Sequence, residues 1–69
     1  MYANMIELNK AEINGRKAWL YMIDTSIGVF YVAEYENPNL NLTRKIFDGS
    51  EEKAKAYFTK SLKLLMKEN

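Results

Sequence analysis

The dipeptide Asn14-Gly15 is the feature that most constrains the fold, because it separates two segments with the composition of β-strands. A two-residue hairpin turn of type I′ requires a positive φ at both central residues, and Asn-Gly adopts that conformation at little cost. The sequence therefore predicts a β-hairpin with a fixed register. The expected cross-strand pairs are Ile13 with Arg16, Glu12 with Lys17, Lys10 with Trp19, Leu8 with Tyr21, and Ile6 with Ile23.

The remaining sequence predicts two more strands and one helix. Residues 29–36 and 40–47 are rich in β-branched and aromatic side chains, and turn-forming residues separate the two segments. Ser50 is suited to cap the following helix, since its hydroxyl accepts a hydrogen bond from an amide of the first turn. Glu51 and Glu52 follow in that turn, where the helix dipole stabilises negative charge. These signals place the start of a helix at residue 50.

Together the segments predict one domain of the α+β class over residues 1–69. An antiparallel meander of three to four strands occupies residues 4–47, and one C-terminal amphipathic helix occupies residues 50–67 and packs on one face of the sheet. A chain of 69 residues buries only a limited fraction of its surface on folding, so association with another chain would add stability.

The second strand of the hairpin is apolar on both faces, whereas a strand with one solvated face alternates apolar and polar residues. Residues 18–23 contain no charged side chain. The register divides this run into a set with Trp19, Tyr21 and Ile23 and a set with Ala18, Leu20 and Met22. Because the first set has the larger side chains, we expect it to form the core under the helix. The second set then requires another partner.

Residue types that the chain lacks exclude several kinds of chemistry. It contains neither cysteine nor histidine, so it forms no disulfide, no histidine-dependent triad and none of the metal sites that need these ligands. We therefore expect no cofactor, no metal and no enzymatic activity. A small enzyme that uses carboxylates alone, Glu7 with Glu34 or Glu36, is a residual alternative. No apolar stretch approaches the ~18 residues of a membrane span, which predicts a soluble, cytoplasmic protein.

One helix is about 10 Å wide and covers one face of a four-stranded sheet, so large apolar side chains on the other face must meet something else. We expect a protein partner there, either a different protein or a second copy in a homodimer. The expected interface residues are Leu20, Met22, Phe30, Val32 and Phe47. If the helix covers the opposite face, the bare residues are instead Trp19, Tyr21, Tyr31 and Tyr35. The main functional hypothesis is thus a non-enzymatic protein-binding module.

The alternative hypothesis is a protein that binds single-stranded nucleic acid. The net charge of +1 provides no strong overall attraction to phosphate, so binding would depend on a local patch. The candidate contacts are Arg16, Lys17, Arg44 and Lys45. Together with sheet aromatics on which bases could stack, these residues would form such a patch.

The segment RKIFDGSEEKAKAYFTKSL, residues 44–62, resembles the end of several small phage-encoded proteins, including some anti-CRISPR inhibitors. In those proteins a last strand ends in Phe-Asp, and a capped amphipathic helix with paired aromatics packs back on an antiparallel sheet. The resemblance implies a stoichiometric binder that blocks a host defence complex through its surface. The order of four strands followed by a helix is also similar to the single-strand-binding platforms of transcriptional coactivators, which implies a dimer that grips nucleic acid.

Overall fold

In a computed structural model that describes residues 4–37 and 39–67, the chain forms four strands and one helix. These are β1 (Asn4–Ile13), β2 (Arg16–Thr25), β3 (Gly28–Glu36), β4 (Leu42–Asp48) and α1 (Glu51–Lys67). The strands form one antiparallel sheet in the order β1-β2-β3-β4, and α1 packs across it, mainly against β3 and β2. The predicted fold class, an antiparallel meander followed by one packed C-terminal helix, is confirmed.

The turn at Asn14-Gly15 has the conformation that the sequence predicts. Asn14 has φ 55° and Gly15 has φ 76°, and the turn aligns Ile13 with Arg16. The expected register holds from this turn through the pair of Lys10 with Trp19 and continues to Asn9 opposite Leu20. The turn therefore determines the register of the hairpin at this end.

A β-bulge at Leu8 changes the register in the first half of β1. Glu7 lies opposite Tyr21 and Asn9 opposite Leu20, so Leu8 is an extra residue without a directly paired partner on β2. The expected pairs of Leu8 with Tyr21 and of Ile6 with Ile23 are therefore wrong, and Ile6 instead lies opposite Met22. A bulge reverses which residues share a face beyond it, so Met5 and Glu7 lie on the same face as Lys10.

Both ends of α1 are held by hydrogen bonds. At its start the amide of Lys53 donates to Oγ of Ser50 over 3.4 Å, which is the cap that the sequence predicts. Near its end the carbonyl of Leu65 accepts from Nδ2 of Asn14 at 3.0 Å and from Nη2 of Arg16 at 3.3 Å. This carbonyl is among the last four of the helix and has no intrahelical donor, so the hairpin turn supplies one.

The core lies between α1 and a stripe of mainly small residues in the centre of the sheet. Ala18, Leu20 and Ala33 contribute from the sheet, and all three are fully buried. The helix contributes Ala54, Phe58 and Leu65. The helix therefore covers the face of Leu20, and the expectation that it covers the face of Trp19, Tyr21 and Ile23 is wrong. Small side chains let the helix approach the sheet closely, which the larger aromatic set would prevent.

Aromatic side chains close the sides of this core. The ring of Tyr57 lies 6.4 Å from that of Tyr35 and 5.8 Å from that of Phe47, both in tilted arrangements. Tilted ring pairs at this spacing are favourable beyond the area that they bury. The aromatic residues of the helix side thus flank the contact.

Candidate protein-binding face

The side of the sheet that α1 does not cover, here called the open face, consists of four rows that run across all four strands. Two rows form a mainly apolar half, whose apolar members, here called the apolar block, are Met5, Tyr21, Ile23, Phe30, Val32 and Ile46; the acidic residues Glu7 and Asp48 complete these two rows. The other two rows form a mainly charged half, the charged block, whose members are Lys10, Glu12, Lys17, Trp19, Glu34, Glu36, Leu42 and Arg44. Successive side chains of a strand point to opposite faces, so each strand contributes to both faces of the sheet. On the open face, the apolar residues lie toward one end of the strands and the charged residues toward the other.

The apolar block is solvent-accessible at its margins and tightly packed at its centre. Met5 is 59% exposed and Ile46 is 61% exposed, whereas Val32 between them is buried by its neighbours. Met5, Ile23, Val32 and Ile46 line an open depression of about 140 Å³ together with Glu34 and Arg44 of the charged block. Large apolar side chains around a depression provide a surface that another apolar group can enter.

The charged block is ordered by specific hydrogen bonds. Nε of Arg44 lies 2.6 Å from Oε1 of Glu34, whose side chain is only 7% exposed. The backbone amide of Lys17 donates to Oε1 of Glu36 on the adjacent strand at 2.8 Å. These carboxylates therefore hold β2 to β3 and β3 to β4. The residual enzymatic alternative would need Glu34 or Glu36 for catalysis, and both are engaged in these bonds.

The phenol of Tyr21 lies where the two blocks meet. Burial raises the pKa of this phenol above its ordinary value of 10.0, and the negative charges of Glu34 and Glu7 raise it further. The positive charge of Arg44 opposes this effect. Tyr21 therefore remains a neutral hydrogen-bonding group near neutral pH, at the border between apolar and charged surface.

The charges of the described residues differ between the two sides of the molecule. The open face carries five acidic side chains and three basic ones, a net charge of −2. The acidic ones are Glu7, Glu12, Glu34, Glu36 and Asp48, and the basic ones are Lys10, Lys17 and Arg44. The helix side carries seven basic side chains and three acidic ones, a net charge of +4. The basic ones are Arg16, Lys45, Lys53, Lys55, Lys60, Lys63 and Lys67, and the acidic ones are Asp24, Glu51 and Glu52.

The five interface residues expected from the sequence do not share one face. Leu20 is fully buried under α1, and Met22 and Phe47 lie on the same side of the sheet as Leu20. Phe30 and Val32 lie on the open face. The set divides because Leu20, Met22 and Phe47 on β2 and β4 lie on one side of the sheet, whereas the pairing of β3 with these strands places Phe30 and Val32 on the other side.

The four basic residues expected to contact nucleic acid are also divided between the two sides. Lys17 and Arg44 lie on the open face, while Arg16 is buried and bonds to the helix carbonyl of Leu65. Nζ of Lys45 lies 6.0 Å from the ring centroids of both Phe47 and Tyr57 on the helix side. The structure therefore brings no more than two of the four together.

Sequence reasoning omitted four residues of the apolar block from the expected interface; Tyr21 was expected only on the alternative face, and the other three were in neither set. Met5, Ile23 and Ile46 line the depression on the open face. The available signal was alternation: Ile23 belongs with Trp19 and Tyr21, the set that was assigned to the core. If the helix had been assigned to the face with the smaller side chains, this set would have been predicted to be uncovered.

The described residues contain no group of three or more side chains that could hold a metal ion. No helix in the described part of the chain is long and apolar enough to cross a membrane. None of the family models, curated proteins or solved structures with which the chain was compared is significantly similar to it.

Proposed function

We propose that the chain is a non-enzymatic, cytoplasmic protein-binding module that docks its partner on the open face. The observation that supports this proposal is the apolar block, which combines a central packed residue, Val32, with the exposed margins Met5 and Ile46. An apolar core with a polar border is the usual anatomy of a protein interface. The apolar block with its adjoining charged block has that arrangement.

The charge of the open face favours one kind of partner. Its net charge of −2 repels a phosphate backbone and attracts a basic surface. The partner surface therefore combines apolar side chains, which enter the depression, with lysine or arginine residues, which face Glu7, Glu12 and Asp48. The carboxylates of Glu34 and Glu36 contribute less, because their existing hydrogen bonds occupy them.

The test is affinity capture from the lysate of the native host with three forms of the tagged chain. Ile46→Lys places a charge in the apolar block at a site that is already exposed, so the fold is retained. Ile27→Lys is the matched control, because Ile27 is 80% exposed in the turn between β2 and β3 and is outside the open face.

We expect at least one host protein to be captured by the unmodified chain and by Ile27→Lys and to be lost with Ile46→Lys. Circular dichroism checks that the two variants retain the same helix and sheet content. Capture that is equal for all three forms, or the absence of any captured protein, would contradict docking on this face.

The nucleic-acid alternative has less support, because its four basic residues are on two sides of the sheet and the open face is acidic overall. It predicts measurable binding of a fluorescent single-stranded oligonucleotide at low salt, with an affinity that falls steeply as salt is added. The same three forms distinguish the hypotheses, since Ile46→Lys would strengthen binding to phosphate while weakening binding to an apolar protein surface.

A finer proposal concerns the identity of the partner. The resemblance of residues 44–62 to phage-encoded inhibitors supports a partner in a host defence complex such as a CRISPR effector. The experiment is a phage-restriction assay in a host with an active defence system, in which expression of the chain should restore phage growth. Ile46→Lys should abolish the effect and Ile27→Lys should preserve it.

A further inference from the structure

The edge strand β1 has the features of a surface that pairs with another strand. Its outer edge has no neighbouring strand among the described residues, and Asn4–Lys10 are all exposed. The helix contacts β1 much less than β2 and β3. An exposed edge presents unpaired amide and carbonyl groups that can bond to an added strand.

Apolar side chains are exposed on both sides of this half of β1. Met5 belongs to the open face, whereas Ile6 lies opposite Met22 on the helix side and is 45% exposed. Leu8, at the bulge, is 39% exposed. A partner that docks on one face would leave the other face uncovered. A strand that extends the sheet brings its own side chains beside both.

The turn geometry determines which backbone groups of β1 point outward. A two-residue turn is flanked by a hydrogen-bonded pair, here Ile13 with Arg16, and the direction of the backbone groups then alternates along the strand. Ala11 and Asn9 therefore bond toward β2. After the extra residue Leu8 the alternation resumes with Ile6 bonding toward β2. The residues that direct their backbone groups outward are Met5, Glu7, Lys10 and Glu12.

Two copies of β1 related by a two-fold axis perpendicular to the sheet fit together in one register. In a regular strand such an axis pairs residues separated by an even number, because only those share a face. The bulge inserts one extra residue, so two residues on opposite sides of it share a face only if their residue numbers differ by an odd number. Pairing Glu7 with Lys10 of the second copy also pairs Met5 with Glu12. The backbone groups of all four outward-directed residues then form hydrogen bonds across the interface. The bulge residue Leu8 of each copy lies across the axis from that of the other.

The charges favour this register over the two adjacent ones. It places Glu7 opposite Lys10 twice, once on each side of the axis, and it places Ile6 opposite Ala11 on the helix side. A shift toward the turn would place Glu7 opposite Glu12, where like charges repel. A shift in the other direction would place Met5 opposite Lys10 and leave Glu7 without a cation. The bulge and the charges, which discourage pairing with unrelated strands, are complementary to a second copy.

We propose that the chain forms a symmetric dimer in which β1 pairs antiparallel with β1 of a second copy, with Glu7 opposite Lys10. The two sheets then form one continuous eight-stranded sheet, with both helices on one side and both open faces on the other. This interface uses the backbone edge of β1, whereas the proposed function uses the apolar block, so either can fail without the other.

The first test is a charge exchange followed by sedimentation analysis over a concentration series that reaches the millimolar range. We expect the unmodified chain to dimerise as concentration rises, as is usual for an interface of this limited size. Glu7→Lys and Lys10→Glu each create two like-charge contacts and should raise the dissociation constant about tenfold or more. The double variant Glu7→Lys/Lys10→Glu restores opposite charges and should restore the dimer.

The outcome of this exchange distinguishes the proposed dimer from other association. An unmodified chain that is monomeric at every concentration would overturn the proposal. A dimer that neither single variant weakens would also overturn it, because that dimer would use another surface. Glu7 and Lys10 are exposed, so the fold should tolerate each change, and circular dichroism verifies this.

The second test uses engineered cysteines in a chain that has none of its own. Ile6→Cys/Ala11→Cys places two thiols at facing positions of the two copies, in a pair of the kind that brings Cα atoms within disulfide range. Within one copy the two positions lie opposite Met22 and Ala18, four residues apart on β2, so they are about 13 Å apart and an intramolecular disulfide is excluded. We expect a covalent dimer on mild oxidation. Ile6→Cys/Ile13→Cys, in which the thiols do not face each other, should react far more slowly, and equal rates would contradict the register.

Discussion

The two faces of the sheet bury their apolar residues in different ways. On the helix side Ala18, Leu20 and Ala33 are fully buried although two of them are among the smallest residues. On the open face the much larger Trp19 and Tyr21 remain partly exposed. The helix therefore does not cover the face with the larger apolar side chains. The helix covers the face whose central side chains are short enough to let its backbone approach the sheet.

The aromatic residues have different positions on the two faces as a result. On the helix side Tyr35, Phe47 and Tyr57 lie around the contact and close it against water. On the open face Tyr21 and Phe30 lie within the surface itself, where no part of the described chain covers them. The first group stabilises the fold, whereas the second is available to a partner. Four experiments test this distinction.

The largest expected effect is that of a cavity in the helix-side core. Leu20→Ala should lower the free energy of unfolding by about 3 kcal/mol, because Leu20 is fully buried and its removal leaves an unfilled space. Ile46→Ala on the open face should cost less than about 1 kcal/mol, since Ile46 is largely exposed. Urea denaturation followed by circular dichroism measures both. Similar losses would mean that both faces contribute equally to the core.

The close approach of the helix is tested by enlarging a small residue within it. Ala54→Leu should destabilise the fold by about 2 kcal/mol, because Ala54 is fully buried against the sheet and added methylene groups have no space. Ala56→Leu is the same change two residues further along, at an exposed position, and should alter stability by less than about 0.5 kcal/mol. Thermal unfolding of both variants gives the comparison. A tolerated Ala54→Leu would show that the small residues are not required.

Removing one partner of an ion pair on each side of the molecule should have a smaller effect on stability. Arg44→Ala should cost about 1 kcal/mol, because it leaves the nearly buried carboxylate of Glu34 without its charged donor, although Arg44 itself is largely exposed. Lys55→Ala removes the partner of Glu51 in an exposed pair on the helix and should cost no more than about 0.5 kcal/mol. Urea denaturation at low and high salt should show screening for the second pair and less for the first.

The sequence was sufficient to predict the strands and the helix, but it was insufficient to predict which residues share a face of the sheet and which face the helix covers. Asn14-Gly15 specifies its turn through backbone conformation, and Ser50 specifies the start of α1 through a local hydrogen bond, so both could be predicted from neighbouring residues. The bulge at Leu8 could not, because no glycine marks it and it depends on the packing of β1 against β2. The expected interface residues on β2 and β4 were assigned to the wrong face, because the pairing of these strands with β3 also depends on tertiary structure. Which face receives the helix depends on tertiary packing, and neither propensity nor periodicity contains that information.

The smallest expected effect concerns two tyrosines, one on each side of the sheet. Burial raises the pKa of Tyr57 above its ordinary value of 10.0, and Tyr35 contributes, whereas Glu34 and Glu7 add to the effect of burial at Tyr21. Each phenol holds its proton more tightly in the folded state than in the unfolded state. Stability from this source is therefore complete below about pH 10 and is lost as the pH rises through the pKa of the folded state.

Glu7→Gln separates the two tyrosines, because it removes a negative charge that acts on Tyr21 and leaves the surroundings of Tyr57 unchanged. We expect the pKa of Tyr21 to decrease and that of Tyr57 to remain constant, as measured for each residue by NMR titration of the phenol ring carbons. The helix-side tyrosine is thus an internal control for the open-face tyrosine. A parallel decrease at both would mean that the charges of the open face act through the sheet. The two faces would then be electrostatically coupled, and a basic partner bound on one side would alter the other.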